Sequence, residues 1–147
     1  MIRLGIASDH RGYILKGQII DRLMNEYDIT DCGTYSEESC DYPDYAFKLG
    51  NLVADNDVDF GIAICGTGIG ISIACNKVKG VRCAKVTTKE EVIATRNDND
   101  SNIIAFGEKM PLDKALELIK MFIETKASEE DKHIRRREKI KRYEEEN

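Results

Sequence analysis

The chain has 147 residues, the length of one ordinary domain, which is enough to bury a core without disulfides or metals. Its 27 acidic and 22 basic residues give a formal net charge of -5, so nucleic acid is not an expected partner. The sequence contains no apolar run of signal or membrane length, and we expect a soluble, cytoplasmic protein with no membrane partner.

The predicted elements alternate between strand and helix along the chain. We expect strands at residues 2–8, 27–33, 59–65, 81–86 and 102–107. Segments of helical period separate them, at residues 13–27, 45–56, 70–77 and 88–97, and a fifth helix opens at Pro111. This order predicts an α/β fold, with a parallel sheet that helices cover on both faces.

Two of these helices show an apolar face that should pack on the sheet. The first carries Ile14, Leu15, Ile19, Leu23 and Met24 on that face, and the second carries Phe47, Leu49, Leu52 and Val53. We expect both sets of side chains to be buried.

The C-terminal segment, residues 127–147, reads "ASEEDKHIRRREKIKRYEEEN" and is highly charged with mixed signs. Taken alone, this composition favours a solvated helix over an arm that packs on a partner subunit. No linker or internal repeat interrupts the chain, so we expect residues 1–147 to form a single domain that ends in this segment.

Ligands of open α/β sheets bind beyond the carboxyl ends of the strands, because loops and helix N-termini converge there. Polar residues at these positions are therefore the candidates for a functional site. They are Ser8, Asp9 and His10 after the first strand, residues 65–70 after the third, Thr87 and Thr88 after the fourth, and residues 107–109 after the fifth.

The glycines of "GTGIGIS", residues 66–72, do not match a nucleotide-binding motif. Val86 stands about twenty residues on, where a ribose-binding carboxylate is required, and no G-K-[ST] follows as in a P-loop. What remains is a ring of backbone N–H groups at a helix start, which favours an anion or an oxyanion.

Cys65 stands between the third strand and these glycines. A helix N-terminus stabilises a thiolate, the form that acts as a base or nucleophile, yet a buried apolar cysteine remains an equal alternative from position alone. The five cysteines include no C-x-x-C pair and accompany only two histidines, which indicates reduced thiols and no metal site. Cys75 and Cys83 are expected to fill the core.

Asp9 and His10 form a carboxylate and imidazole pair at the end of the first strand. Such a pair suits hydrogen bonding to sugar hydroxyls or proton transfer near neutral pH. Asp9 could also cap the following helix, and the two roles are compatible.

Several segments together resemble the ribose-5-phosphate isomerase B family, a group that includes galactose- and allose-phosphate isomerases. In chain order they read "SDHRGYILK", "DCGTYSEESCDYPDYA", "ICGTGIGISIACNKVKGVR", "NDSNIIAFG" and "KHIRRREKI". The resemblance implies a Rossmann-like three-layer α/β/α sandwich with a five-stranded parallel sheet and a C-terminal helical arm. It further implies an aldose–ketose isomerase without metal or cofactor, in homodimers, possibly tetramers, with active sites at the dimer interface.

The resemblance assigns roles to residues around the third strand. Cys65 matches the family's base, and Thr67 is placed to shuttle protons between the two reacting oxygens. The N–H groups around Gly66, Gly68 and Gly70 match an anion hole for an enediolate, and Ser72 lies at the same helix start. On this reading the glycines hold the enediolate and Cys65 is its base.

Other positions match substrate contacts of the family. Asp9, His10 and Tyr42 match residues that contact the sugar or its phosphate, and Asn99 matches one near the reacting end. Arginines of the phosphate site align with Lys109 and Lys132, which leaves Arg136 as the matching arginine. The segment "KHIRRR" is then a substrate arm that completes a neighbour's site.

Asp98 is the largest departure, because ribose-phosphate members usually place a ring-opening histidine just before "ND". An ionised aspartate accepts a hydroxyl proton but is a poor donor to the ring oxygen. We therefore expect ribose 5-phosphate as substrate, with a hexose 6-phosphate or another pentose or tetrose phosphate as the alternative. A non-catalytic module that binds a sugar phosphate is the third possibility.

Overall fold

The computed structural model describes residues 1–147 and contains five strands and six helices. The strands are β1 Arg3–Ser8, β2 Asp28–Asp31, β3 Phe60–Cys65, β4 Cys83–Lys85 and β5 Ile103–Gly107. The helices are α1 Tyr13–Leu23, α2 Tyr42–Ala54, α3 Ile69–Cys75, α4 Lys89–Asn99, α5 Leu112–Glu124 and α6 Asp131–Glu146. Strand and helix alternate as predicted, and each strand lies within its predicted range.

The five strands form one parallel sheet in the order β2-β1-β3-β5-β4, which confirms the predicted α/β fold. The chain leaves β1 toward β2 on one side and then returns to place β3 on the other side. This reversal lies between β1 and β3, and loops diverge at such a point to open a crevice at the carboxyl ends of the strands. Ser8 and Ile64 are register partners there, so Asp9 and Cys65 leave the sheet side by side.

Each face of the sheet has its own apolar core, so the fold has three layers. Side chains alternate along β3: Ile62 and Ile64 pack with α1 and α5, whereas Ala63 and Cys65 pack with α2 and α3. The second core is rich in alanine and cysteine, which lets α2 and α3 lie close to the strands. The sulfur of Cys65 therefore belongs to a tightly packed layer.

The predicted inner face of α1 was wrong in part. Ile14 and Met24 are exposed, whereas Lys16 is buried beside Leu15 and Ile19. The ammonium group of Lys16 is compensated because it pairs with the Asp31 carboxylate at the end of β2. This contact lies outside the helix and leaves no periodic trace in the sequence.

The inner face of α2 also differs from the prediction. Leu49 and Val53 are buried as expected, whereas Phe47 is exposed and Leu52 is half-buried. The helix instead turns Ala46 toward the sheet, since a small residue permits the close approach that this core requires.

Helix α6 carries no buried residue and lies against the end of α4. The guanidinium group of Arg137 donates to the carbonyl oxygens of Asn97, Asp98 and Ser128. The Glu144 carboxylate accepts from the backbone N–H of Gly80. These polar contacts hold the arm on the surface of its own chain. No helix in the chain has the length and apolar character needed to cross a membrane.

Candidate active site

Cys65 is the last residue of β3 and is only 4% exposed. The backbone N–H of Gly68 donates to its sulfur at 3.2 Å, within the loop that leads into α3. A donor in this position stabilises negative charge on the sulfur, because the loop holds it in place before any charge develops. The geometry thus fits a thiol that exchanges a proton with a bound molecule.

The glycines of this loop are required by its contact with β5. Gly68 has a φ of +83°, and a Cβ atom there would lie 2.7 Å from backbone atoms of Phe106. A Cβ atom on Gly107 would lie 2.9 Å from the carbonyl oxygen of Gly66. Two strand ends therefore meet backbone to backbone, with no room for a side chain at position 68 or position 107.

Thr67 lies in this loop, and its hydroxyl accepts from the backbone N–H of Ile69 at 3.1 Å at the start of α3. Gly70 follows under the ring of Tyr42, and a Cβ atom at position 70 would come within 2.7 Å of Cζ of that ring. Ser72 is half-buried one turn into α3. The predicted residues of this segment therefore lie together around the start of α3.

Asp9 is 5% exposed and follows β1 directly. Its backbone N–H donates to the carbonyl oxygen of Ile64, one residue before Cys65. One carboxylate oxygen, Oδ1, accepts from the N–H groups of Arg11 and Gly12. The first residue before α1 is Gly12, with no side-chain cap, so Asp9 organises the preceding turn instead of capping the helix itself.

His10 packs against a residue that the sequence pattern did not single out. The backbone N–H of Cys40 donates to Nδ1 of His10 at 3.3 Å, and the Cys40 sulfur lies 3.8 Å from the same nitrogen. The neutral imidazole therefore carries its proton on Nε2. That nitrogen remains free to donate to a ligand.

A cleft of about 340 Å³ adjoins the glycine loop. It is lined by Gly66, Thr67, Thr87, Gly107, Lys109 and Lys114, among others. Two lysines in one small cleft favour an anionic group. Beside it, the Arg11 guanidinium pairs with the Glu108 carboxylate at 2.7 Å, a contact that the sequence did not reveal.

Cys32, Cys75 and Cys83 lie in environments unlike that of Cys65. Burial raises the pKa of Cys32 to about 11. A hydrogen bond with Cys75 and burial together raise the pKa of Cys83. Cys75 itself is fully buried, in the core layer where it was predicted. The raised pKa values disfavour ionisation of Cys32 and Cys83, and Cys65 is the cysteine whose sulfur accepts a backbone N–H.

The structure does not bring Asp98 and Asn99 to Cys65 within one chain. Helix α4 starts after β4 and runs back along the sheet, so its last turn lies where β5 begins. Gly107, the register partner of Cys65, stands at the far end of β5, about 13 Å away along the strand. Lys132 and Arg136 lie on α6, and both side chains are exposed.

The candidate residues therefore fall into two groups. We call the first the thiol half-site; it contains Asp9, His10, Tyr42, residues 65–72 and Lys109. We call the second the arm half-site; it contains Asp98, Asn99, Lys132 and Arg136. The thiol half-site could hold an anionic sugar at the start of α3, while the arm half-site presents cations and a carboxylate at the opposite end of the strands.

Comparison with known proteins assigns the chain to a family. The family model described as Ribose/Galactose Isomerase matches residues 4–140. The chain belongs to this family. Within it, ribose-5-phosphate isomerase B of Escherichia coli (strain K12) is 41% identical over 125 residues, which cover 84% of this chain and 82% of that protein.

Solved structures of the Ribose/Galactose Isomerase family agree with this fold over almost the whole chain. Ribose-5-phosphate isomerase B of Clostridium thermocellum superposes with a TM-score of 0.93, at 41% identity, over 99% of each chain. The enzyme of the same name from Mycoplasma genitalium, with ribulose-5-phosphate bound, gives a TM-score of 0.90 at 35% identity, over 99% of this chain and 98% of that one. The three-layer fold with its helical arm is therefore the fold of these isomerases.

Proposed function

We propose that this protein interconverts ribose 5-phosphate and ribulose 5-phosphate as an aldose–ketose isomerase. The observation that carries the proposal is the position of Cys65, a buried thiol at the carboxyl end of β3 with the N–H of Gly68 on its sulfur. Membership of the Ribose/Galactose Isomerase family supports it, as do the two structures named above.

The proposed reaction moves one proton between neighbouring carbons. The Cys65 thiolate removes the proton from C2 of the aldose, which gives an enediolate, and the resulting thiol returns a proton to C1. Thr67 carries a proton between the two sugar oxygens. The free N–H groups around Gly66 and Gly70 stabilise the oxyanion, and the chemistry needs no cofactor.

Substrate contacts in the thiol half-site follow from the same chemistry. Asp9 has one carboxylate oxygen tied to the turn, so its other oxygen can accept from a sugar hydroxyl. His10 donates through Nε2, and Tyr42 and Ser72 flank the start of α3. Lys109 supplies positive charge to the phosphate as a point charge, without the planar fork of arginine.

Two copies of the chain are needed to complete this site. In one chain the arm half-site lies at the opposite end of the strands from Cys65, too far for one sugar phosphate to touch both. We therefore propose a homodimer in which each arm reaches the partner's thiol half-site, and possibly a tetramer. Residues 1–147 then act as one isomerase domain, with residues 127–147 as the arm that brings Lys132 and Arg136 to the phosphate.

A coupled assay across phosphorylated sugars tests the proposal. Purified protein should give its highest kcat/KM on ribose 5-phosphate, well above allose 6-phosphate and galactose 6-phosphate. Cys83→Ser changes a cysteine outside the thiol half-site and should therefore leave this preference unchanged. Asp98 favours the hexose alternative, because a histidine is missing from that position. Activity on hexose phosphates alone would assign the chain to that alternative, and tight binding without any turnover would indicate a sugar-phosphate sensor.

A further inference from the structure

His133 on α6 lies next to Asp98 on α4. Nε2 of His133 is 3.5 Å from Oδ1 of Asp98, and the imidazole is only 12% exposed. The other ring nitrogen, Nδ1, lies 2.9 Å from the hydroxyl of Ser128. One side of the imidazole is thus turned to a carboxylate and the other to a hydroxyl.

Ser128 can act as a donor to His133. Its Oγ accepts from the backbone N–H of Glu130 at 3.1 Å, and its hydroxyl hydrogen is available to Nδ1 of His133. We assign the proton of the neutral imidazole to Nε2, the nitrogen that faces Asp98. The Glu130 carboxylate also faces Nδ1, at 3.7 Å.

Asp98 has one oxygen engaged and one open. Oδ1 accepts from the side-chain amide of Asn97 at 2.8 Å and faces His133. Oδ2 accepts no hydrogen bond within the chain, and the side chain is 48% exposed. A carboxylate held at one oxygen, with the second oxygen open, is prepared to act on a molecule that arrives from outside the chain.

We propose that His133 is a positioning residue for Asp98, and that Asp98 opens the sugar ring of the substrate. This inference rests on the isomerase function proposed above. A ribose 5-phosphate ring must open before its C2 proton becomes acidic, because only the open form has an aldehyde at C1. Asp98 touches the sugar, and His133 acts only through Asp98.

The proton transfer balances with Asp98 alone. Oδ2 takes the proton from the hydroxyl on C1; the electron pair left on that oxygen forms the C1=O bond, and the bond between C1 and the ring oxygen O4 breaks. O4 keeps that electron pair and takes the proton back from Asp98. The Nε2–H of His133 stabilises the carboxylate that this second transfer restores, so the protonated Asp98 is a better acid toward O4.

The test compares two variants of similar size at position 133. His133→Leu removes the N–H donor, whereas His133→Gln retains an amide donor at about the position of Nε2. Turnover of ribose 5-phosphate should fall roughly 10- to 100-fold in the leucine variant and much less in the glutamine variant. Exchange of the C1 hydrogens of ribulose 5-phosphate with deuterated solvent needs no ring and should stay within about twofold in both.

A rescue experiment separates this role from a structural one. Adding Asp98→His to His133→Leu places an imidazole next to the sugar, so ring opening should recover to within a few-fold of wild type. Arg137→Gln is the control for the arm: it weakens the attachment of α6 to α4 and should lower turnover and exchange together.

Equal loss of turnover and exchange in His133→Leu, failure of the rescue, or turnover within twofold of wild type would each overturn the inference. If the wild-type enzyme exchanges no C1 hydrogen of ribulose 5-phosphate with solvent deuterium, the exchange assay cannot be used. The rescue experiment then tests the inference alone. A wild-type protein without activity on ribose 5-phosphate would instead contradict the proposed function, so the two failures are distinguishable.

Discussion

The thiol half-site and the arm half-site are built in opposite ways. The thiol half-site is made by buried strand ends whose backbones touch, so the positions of Cys65 and Gly68 follow from the packing of the sheet. The arm half-site is made by side chains on the surfaces of α4 and α6, and α6 buries no residue at all. Residues can therefore change in the arm half-site with little cost to folding.

The largest effect is expected when the thiol half-site loses its sulfur. Cys65→Ala should lower kcat by about two to four orders of magnitude, because the change removes the proposed general base. Binding of the sugar phosphate should persist, since charged side chains elsewhere hold the phosphate. Steady-state kinetics and calorimetric titration with ribose 5-phosphate measure the two effects separately.

Cys75→Ala is the matched control for Cys65→Ala. It also removes a buried thiol from the same core layer, so it should lower stability while leaving kcat near that of wild type. Turnover within a few-fold of wild type in Cys65→Ala would show that the base is another residue.

The next effect is expected from one added methyl group in the glycine loop. Gly68→Ala forces a left-handed φ on alanine and drives a Cβ atom to 2.7 Å from the Phe106 backbone. We expect a loss of about 2–4 kcal/mol in the free energy of unfolding and a further loss of kcat, because the N–H of Gly68 moves away from Cys65.

Gly17→Ala provides the control at a glycine where no such contact exists. Position 17 is exposed on α1, and a Cβ atom there meets nothing within 4 Å. This change should raise stability by about 0.5–1 kcal/mol and leave kcat unchanged, since alanine is the better helix former. If Gly68→Ala unfolded at the same denaturant concentration as wild type, the loop would have more room than the structure indicates.

Much of the fold could be predicted because it depends on local periodicity. All five strands and the order of the helices follow from apolar runs and their spacing. The buried position of Lys16 could not be predicted, because its partner Asp31 lies in another element and no local pattern links them. The prediction that Phe47 is buried was wrong for a related reason. Hydrophobicity alone favours the larger Phe47 for the inner face of α2, but close packing on the sheet places the small Ala46 there.

In the candidate site, too, local patterns could be predicted from the sequence and contacts between remote segments could not. Residues 65–70 could be predicted because several glycines directly after a strand indicate a loop whose backbone N–H groups are available at a helix start. The contact between His10 and Cys40, and that between Asp98 and His133, join segments that are remote in sequence. Only the folded chain shows such pairs. The resemblance already implied that the arm completes a neighbour's site, but only the structure shows that Asp98 and Asn99 lie with the arm, away from Cys65.

A smaller effect is expected in the arm half-site. Arg136→Ala and Lys132→Ala should each raise KM about tenfold with kcat nearly unchanged, because a phosphate contact acts on substrate and transition state alike. Arg135→Ala, on the same exposed helix, is the charge-matched control and should change KM little.

Mixing the inactive Cys65→Ala variant with the weakly binding Arg136→Ala variant then tests whether the arm serves the partner subunit. If it does, refolding Cys65→Ala together with Arg136→Ala at low substrate concentration should restore roughly one quarter of the wild-type sites, since half of the dimers are mixed and each contains one intact site. Mass spectrometry can verify that mixed dimers form. Verified mixed dimers with no recovery would mean that each site is built from a single chain.

The smallest effect is expected at Asp98, where the arm half-site departs most from the family. Asp98→His should raise kcat on ribose 5-phosphate a few-fold, because an imidazole can both take the hydroxyl proton and give one to the ring oxygen. Exchange at C1 of ribulose 5-phosphate should not change, since that step needs no ring. Asp98→Asn is the opposing control: its amide keeps the size of the side chain but cannot take the proton, so kcat should fall. Unchanged pentose activity in both variants would mean that another group, such as Asp9 or water, opens the ring, and the arm half-site would then contribute phosphate binding alone.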